Sequence, residues 1–389
     1  MAYVFKGCSY VLSPNGLLRD VDLSVGEDGT VHLGGELKGE EKIDCRGLLV
    51  AHGLANAHTH LSHYSAPASA ASGLSWRSHH VELLPEEYAR NIVLLALIKA
   101  LETGTTLIAD TTPYPETLSR LAREVGIRYL PVVRLGSSHV EVAASYLIED
   151  LEALEDVAEH PEPLKEEGRS RLFIHVANDR ESVFQFRRKT GKFPIEFLYS
   201  KGILGPWAIL VAPGWVTSWE AELISQTGAK VLLAPIASLN QAQGGVLPHL
   251  MLQARGVQPG LCSESPMLGL SINMLEQARA YYLYQRGFFE YSDFTIEHAY
   301  TAATRGGYSA LEVEGGEIRD GAKADLVFFD LDSVPPKASL GGLEQVFFNL
   351  DEGSVKYVVI NGRMVFSPER REELLDIKTS LREKLMDMH

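Results

Sequence analysis

In the stretch GLANAHTHLSHY, residues 53 to 64, His58 and His60 stand two apart at the end of an apolar run, and His63 follows closely. Imidazole is a common ligand for divalent cations. If the run is a strand, its period of two sends both side chains to one face, where a single ion can take both. Two histidines near a loop can equally be surface residues, so the pair needs company. RLFIHVAND ends another apolar run with His175, and VQPGLCSES supplies Glu264. Three imidazoles and a carboxylate at strand ends make up the donor set of a divalent metal centre.

Such donors need strands that end on the same side. From about residue 53 the chain alternates strands with helices, the pattern of a parallel sheet covered by helices. Strands are expected at LANAHTH, TTLIADT, IRYLPVVRL, RLFIHVA, WAILVAP, AKVLLAP and VQPGLCS. Helices are expected in PEEYARNIVLLALIKALETG, opened by Pro85 and closed at Gly104, and in YPETLSRLAREVG, closed at Gly126. The count is barrel-like but reaches seven, and a barrel of this kind carries its site at the C-terminal ends of its strands.

The two ends of the chain read differently. YVFKGCSYVLS, RDVDLSV and KIDCRGLLV are short strands joined by turns, and the same grammar returns after GGEIRDGAKADLVFFDLD. There SVKYVVINGRMVF carries Asn361-Gly362, a hairpin signal. The expected organisation is a (β/α) barrel over 53–316 and a small β-sandwich domain built from 1–52 and 317–366. A helix over 367–389 follows, opened by Ser367 and Pro368 and carrying Leu374, Leu375, Ile377, Leu381 and Leu385.

Composition narrows the classes. A chain of 389 residues with 45% hydrophobic and 22% charged residues is a globular profile. A net charge of -15 argues against a nucleic-acid partner, because phosphate binding needs clustered Lys and Arg. The one dense basic run, RRKTGK at 187–192, reads as a solvated helix end. Cys8, Cys45 and Cys262 lie far apart without CxxC spacing, which suggests neither a disulfide framework nor a zinc knuckle and fits a reducing cytoplasm. The N-terminus MAYVFKGCSY lacks the pattern of an export signal. The apolar helix NIVLLALIKAL is too short for a membrane span.

Taken together, these stretches resemble the amidohydrolase superfamily, in its cytosine deaminase, chlorohydrolase and S-adenosylhomocysteine deaminase-like branch. LLVAHGLANAHTHL resembles the family's first barrel strand, ALETGTTLIADTT its second, and IHVANDRESVFQFRRKTGKFPIEFLYSKGIL its fifth strand and following helix. LLAPIASLNQAQGGVLPHLMLQARGVQPGLCSES is similar to the stretch from its seventh strand to its eighth, and FTIEHAYTAATRGGYSALEVEGGEIRDGAKADLVFFDL to its return into the small sheet domain.

The resemblance implies a TIM-like barrel, a small-molecule substrate, a homodimer and one divalent ion, commonly zinc or iron. In the family that ion activates water for attack on an electron-poor ring carbon, with loss of ammonia or another group. His58, His60 and His175 fall on three of the ligand positions. Glu264, in Ser-Glu, stands where the family has an Asp that also takes a proton, so it is expected both to bind metal and to act in catalysis.

Glu264 adds one methylene to the family's Asp, and two further positions depart from the family. Three residues after the strand-five histidine the family has a proton-carrying Glu; here it is Asn178, and although Asp179 and Glu181 lie nearby, the residue after Asn178 on a strand points the other way, so neither is a free replacement. At the end of strand six the family has a His, and here Pro213 stands instead. The family's fourth strand is also missing from the reading, since SYLIEDLEALEDVAEHPEPLKEEG reads as helix and then loop. Either SSHVEVA replaces that strand or the barrel is incomplete. His52, His63, His79 and His80 are candidates for rebuilding the site or supporting it, Asn178 for contacting substrate or supporting the site, and Asn240 in SLNQ for shaping a loop or touching substrate. Two functions stay open: a metal-dependent hydrolase of a C–N or comparable bond in a small cyclic compound, with altered proton shuttles, or a catalytically lapsed relative serving ligand binding or assembly.

Overall fold

The computed structural model describes residues 2–34, 41–64, 84–134, 145–148, 171–243, 245–333 and 342–387. His79, His80 and SSHVEVA lie outside the described residues.

At the N-terminus, β1 (Tyr3–Ser13), β2 (Gly16–Val25), β3 (Val31–Leu33), β4 (Glu41–Asp44) and β5 (Leu48–His52) form the first half of one sheet. KIDCRGLLV is thus two strands, not one, because Gly47 at φ 76° turns the chain between them. Eight strands of the central region follow: β6 (Leu54–Thr59), β7 (Thr105–Thr111), β8 (Arg128–Arg134), β9 (Ser145–Ile148), β10 (Arg171–His175), β11 (Ala208–Val211), β12 (Lys230–Leu233) and β13 (Gly260–Leu261). β14 (Leu326–Asp330), β15 (Val355–Ile360) and β16 (Arg363–Phe366) complete the first sheet in the order β16-β15-β14-β5-β1-β2-β3, with β4 on β1. Asn361 and Gly362, at φ 49° and 78°, make the turn of the β15–β16 hairpin as their sequence demands. The sheet folds over its own core, where the rings of Phe5 and Phe328 stack at 4.3 Å.

The central sheet runs β6 to β13 in chain order, and every pair is parallel. The strand missing from the sequence reading is β9. Ser145–Ile148 hydrogen-bonds to β8 on one side and β10 on the other, and this two-sided pairing makes it a strand. Among the described residues the central strands number eight, where the sequence reading reached seven. Alternate residues enter two cores, Leu107, Ala109, Phe173, Ile209, Val211 and Leu232 in one, and Ile108, Leu172, Ile174, Leu210, Val231 and Leu233 in the other. Burial on both faces is what turns parallel strands into nearly continuous apolar runs. The edge strands β6 and β13 approach where Thr59, the last residue of β6, and Glu264, beyond β13, form a parallel bridge.

The helix Glu86–Glu102 carries the chain back from β6 to β7. Against it packs the C-terminal helix Pro368–Asp387, whose Leu381 and Leu385 cluster with Tyr88, Ile92 and Leu95. Ser367 Oγ accepts from Arg370 N at 3.3 Å, the expected cap. The helix face is narrower than expected: Leu374 is buried, but Leu375 is 57% exposed and Ile377 36%. Among the described residues no helix is long and apolar enough to cross a membrane.

Candidate metal centre

His58 and His60 lie at the exit of β6, His175 ends β10, and Glu264 follows β13. Strands one, five and eight of a parallel barrel therefore deliver the four side chains to the same end. One donor atom from each lies within 4.8 Å of the others, and all four residues are buried. His175 Nε2 is 3.2 Å from His58 Nε2. The Glu264 carboxylate is 3.6 Å from His58 Nε2, 3.6 Å from His60 Nε2 and 3.9 Å from His175 Nε2. Ligands about 2.0–2.1 Å from one tetrahedral ion stand about 3.4 Å from each other. The separations bracket that value, so the residues fit a divalent ion.

The chemistry of the donors agrees with the geometry. Burial pushes the His175 imidazole down to about 3, which leaves it neutral with a lone pair to give. A buried carboxylate is costly unless its charge is offset, and a cation held by these donors would offset it. Glu264 also holds a backbone φ of 59°, in the left-handed region that a side chain enters only when the surroundings impose it.

What imposes it is a hydrogen-bonded seam that the sequence reading missed. Asn56 Nδ2 donates to Ser263 Oγ at 2.8 Å, and Ser263 N donates back to Asn56 Oδ1 at 2.9 Å. Ser263 Oγ donates to Thr59 Oγ1 at 3.0 Å, and Thr59 Oγ1 reaches Glu264 O at 3.1 Å. Glu264 N donates to His58 O at 3.2 Å. The seam ties the first strand to the segment after the eighth and sets the Glu264 backbone against the two histidines. The available signal was a buried-type strand, LANAHTH, interrupted by a polar Asn56.

His63 belongs to the surroundings of this cluster. It follows in the short helix Leu61–His63, stacks on His60 with centroids 5.2 Å apart, and places Nδ1 2.9 Å from Ser265 Oγ. Burial lowers it to about 4, so it is a neutral imidazole beside the ligands. A second residue that the sequence did not announce is Asp110 on β7. Its side chain is fully buried and accepts from Leu61 N at 2.7 Å and from Tyr129 OH at 2.6 Å; desolvation outweighs both bonds and raises it to about 7.

The remaining candidates separate from the cluster. His52 ends β5, at the opposite end of the first barrel strand, with Nδ1 2.8 Å from Gly53 O and Nε2 accepting from Gly316 N at 2.7 Å. Both nitrogens are committed, and burial lowers its pKa. It does not rebuild the site. Asn240 donates to Leu268 O at 2.7 Å and so shapes a loop. Asn178 is buried, and its Nδ2 donates to Val211 O and Ala212 O, each at 3.2 Å. Two carbonyls facing one end of the amide fix which end is nitrogen.

The reason that Asp179 and Glu181 do not replace the missing acid differs from the strand parity expected. β10 stops at His175, Ala177 turns the chain at φ 55°, and Asp179 becomes the N-cap of helix Arg180–Thr190 by accepting from Ser182 N. Glu181 sits in the first turn of that helix and accepts from Gln185. Pro213 follows Ala212, itself at φ 48°, and the next two amides, Gly214 N and Trp215 N, both donate to Ala177 O at 2.9 Å. The corner is packed: a Cβ on Gly214 would meet Asn178 O at 2.9 Å.

Comparison with known proteins agrees with this architecture. Residues 151–365, more than half of the chain, match the amidohydrolase family. The 5-methylthioadenosine/S-adenosylhomocysteine deaminase of Aquifex aeolicus is 22% identical over 90% of this chain and 89% of its own length. A 5'-deoxyadenosine deaminase of Methanopyrus kandleri is 24% identical over 96% and 97%. Among solved structures, a zinc-bound adenosine deaminase from Xanthomonas campestris superimposes with a TM-score of 0.81 at 17% identity, covering 99% of this chain and 98% of that one.

Proposed function

The chain belongs to the amidohydrolase family, and we propose that it is a metal-dependent hydrolase acting on a C–N, deaminase-like or comparable bond of a small cyclic compound. The observation that carries this reading is the convergence of His58, His60, His175 and Glu264. The three imidazoles and the carboxylate would hold one divalent ion, zinc being the expected one and iron the alternative. When bound, that ion supplies Lewis acidity and lowers the pKa of water. Glu264 holds one carboxylate oxygen toward His58 and the other toward His60, and its carboxylate is a group at the site able to take a proton. His63 stays neutral beside it and can donate or accept. The names of the relatives support a substrate that is an aminated ring.

A second reading, a lapsed relative that binds a ligand or assembles with a partner, draws on Asn178 and Pro213. An amide does no general acid work, and proline offers no donor. A panel of aminated and halogenated purines, pyrimidines and triazines, offered to zinc-loaded protein, separates the two. Release of ammonia or chloride that Glu264→Ala abolishes supports the hydrolase. Ligand binding without turnover across the panel supports the second reading.

A further inference from the structure

We infer that Asp110 is a positioning residue for the metal centre, holding the loop that carries His60 and His63 through the backbone amide of Leu61; this rests on the metal reading of the site. Leu61 is the residue immediately after His60 and opens the short helix that ends at His63. Its N–H points into the barrel wall at the end of β7 and finds the Asp110 carboxylate 2.7 Å away. The other oxygen of that carboxylate takes the Tyr129 hydroxyl from β8 at 2.6 Å. The loop after the first strand is thereby tied to the second and third.

The choice of residue is what calls for a function. An aspartate is among the poorest strand formers, and a buried one with neutral donors on both oxygens costs the fold more than an apolar residue would. Yet β7 places it in the row Leu107, Ile108 and Ala109, all buried. A neutral side chain such as valine would suit the strand but leave Leu61 N–H buried without an acceptor. That amide begins a turn whose direction sets where the His60 imidazole meets Glu264, 3.6 Å away, and where His63 meets Ser265, the residue after Glu264. Groups that orient ligands in this way typically change metal affinity by about 10–100-fold when removed.

The test uses the full-length protein and zinc alone. Zinc affinity is measured by competition with a chelator for wild type, Asp110→Val, Asp110→Ala and Asp110→Asn, with hydrogen exchange of the Leu61 amide followed in the metal-free forms. Asn keeps a carbonyl for Leu61, and the tyrosine hydroxyl can turn to accept from its amide. The expected result is a loss of about tenfold or more for Val and Ala, with faster Leu61 exchange, and near wild-type affinity and protection for Asn. Val or Ala binding zinc as tightly as wild type would overturn the assignment. If neither folds, Asn decides: a tenfold loss of affinity with Leu61 still protected contradicts a role through that amide. Wild-type protein that takes up no zinc overturns the metal reading itself, an outcome distinct from equal affinities in wild type and variants.

Discussion

Two neighbouring corners at the same end of the barrel are built to different standards. Around His58, His60, His175 and Glu264, donors converge to 3.2–3.9 Å and a seam through Asn56, Ser263 and Thr59 holds them there. A few residues further on, where β10 and β11 exit, Asn178 spends its amide on two backbone carbonyls, and Pro213 has nothing to offer. The two corners share β10, so the fold alone does not distinguish them. On the proposed reading the difference separates holding a metal from moving protons: the first needs convergent lone pairs, the second a group able to change its charge in place.

The largest effect is expected at the ligand corner. His175→Ala should lower zinc affinity by more than the about 100-fold expected of an outer partner, because it removes a donor itself. Isothermal titration of refoldable variant against wild type gives the number.

The proton-transfer corner should respond in the opposite direction. With zinc bound, wild type is expected to deaminate cytosine, adenosine or S-adenosylhomocysteine well below the ordinary rate of about 1 s⁻¹. Asn178→Glu should raise ammonia release by about 10²-fold, since the Val211 and Ala212 carbonyls would repel a carboxylate and keep the new group protonated, as an acid must be. Steady-state ammonia assays at pH 7 test this. Pro213→His is the weaker rescue, because it also returns a backbone N–H to the strand end. Wild-type turnover at an ordinary rate would mean that His63 or another loop group carries the proton.

Beside the ligand corner, where it holds Leu61 N, Asp110 should tilt the stability curve. Its folded pKa of about 7 lies above that of an unfolded aspartate, about 3.9. Between those values the native state holds more protons than the unfolded one, so this group makes stability fall as pH rises from about 4 to 7. Asp110→Asn should remove that component, and melting temperatures across pH 4–8 would show a flatter or rising profile over the same window.

The smallest effect is expected at the seam. Ser263→Ala leaves Asn56 without its hydroxyl partner and should cost about 1–3 kcal/mol in urea unfolding. If zinc affinity falls with it, the seam positions Glu264; if only stability falls, it merely joins the barrel edges.

What the sequence disclosed follows from these same physical demands. HxH, His175 and Glu264 stand out because polar ligands end runs that are otherwise apolar. Asn56, Ser263 and Asp110 work through pairings 207 and 49 residues away along the chain, which no local pattern encodes. β9 was hidden because SYLI is only four residues long and precedes a run of strong helix formers. Asp179 was misplaced for a related reason: the left-handed Ala177 that ends the strand grammar is not a glycine or asparagine, so nothing marked the turn.

Elemental analysis of protein purified without added metal, followed by zinc titration at pH 7, shows whether the ligand corner holds a metal whatever the state of its neighbour. Up to one divalent ion per chain, with zinc bound at that stoichiometry on titration and lost in Glu264→Ala, is the predicted result. Protein that is metal-free as purified and takes up no zinc would contradict it.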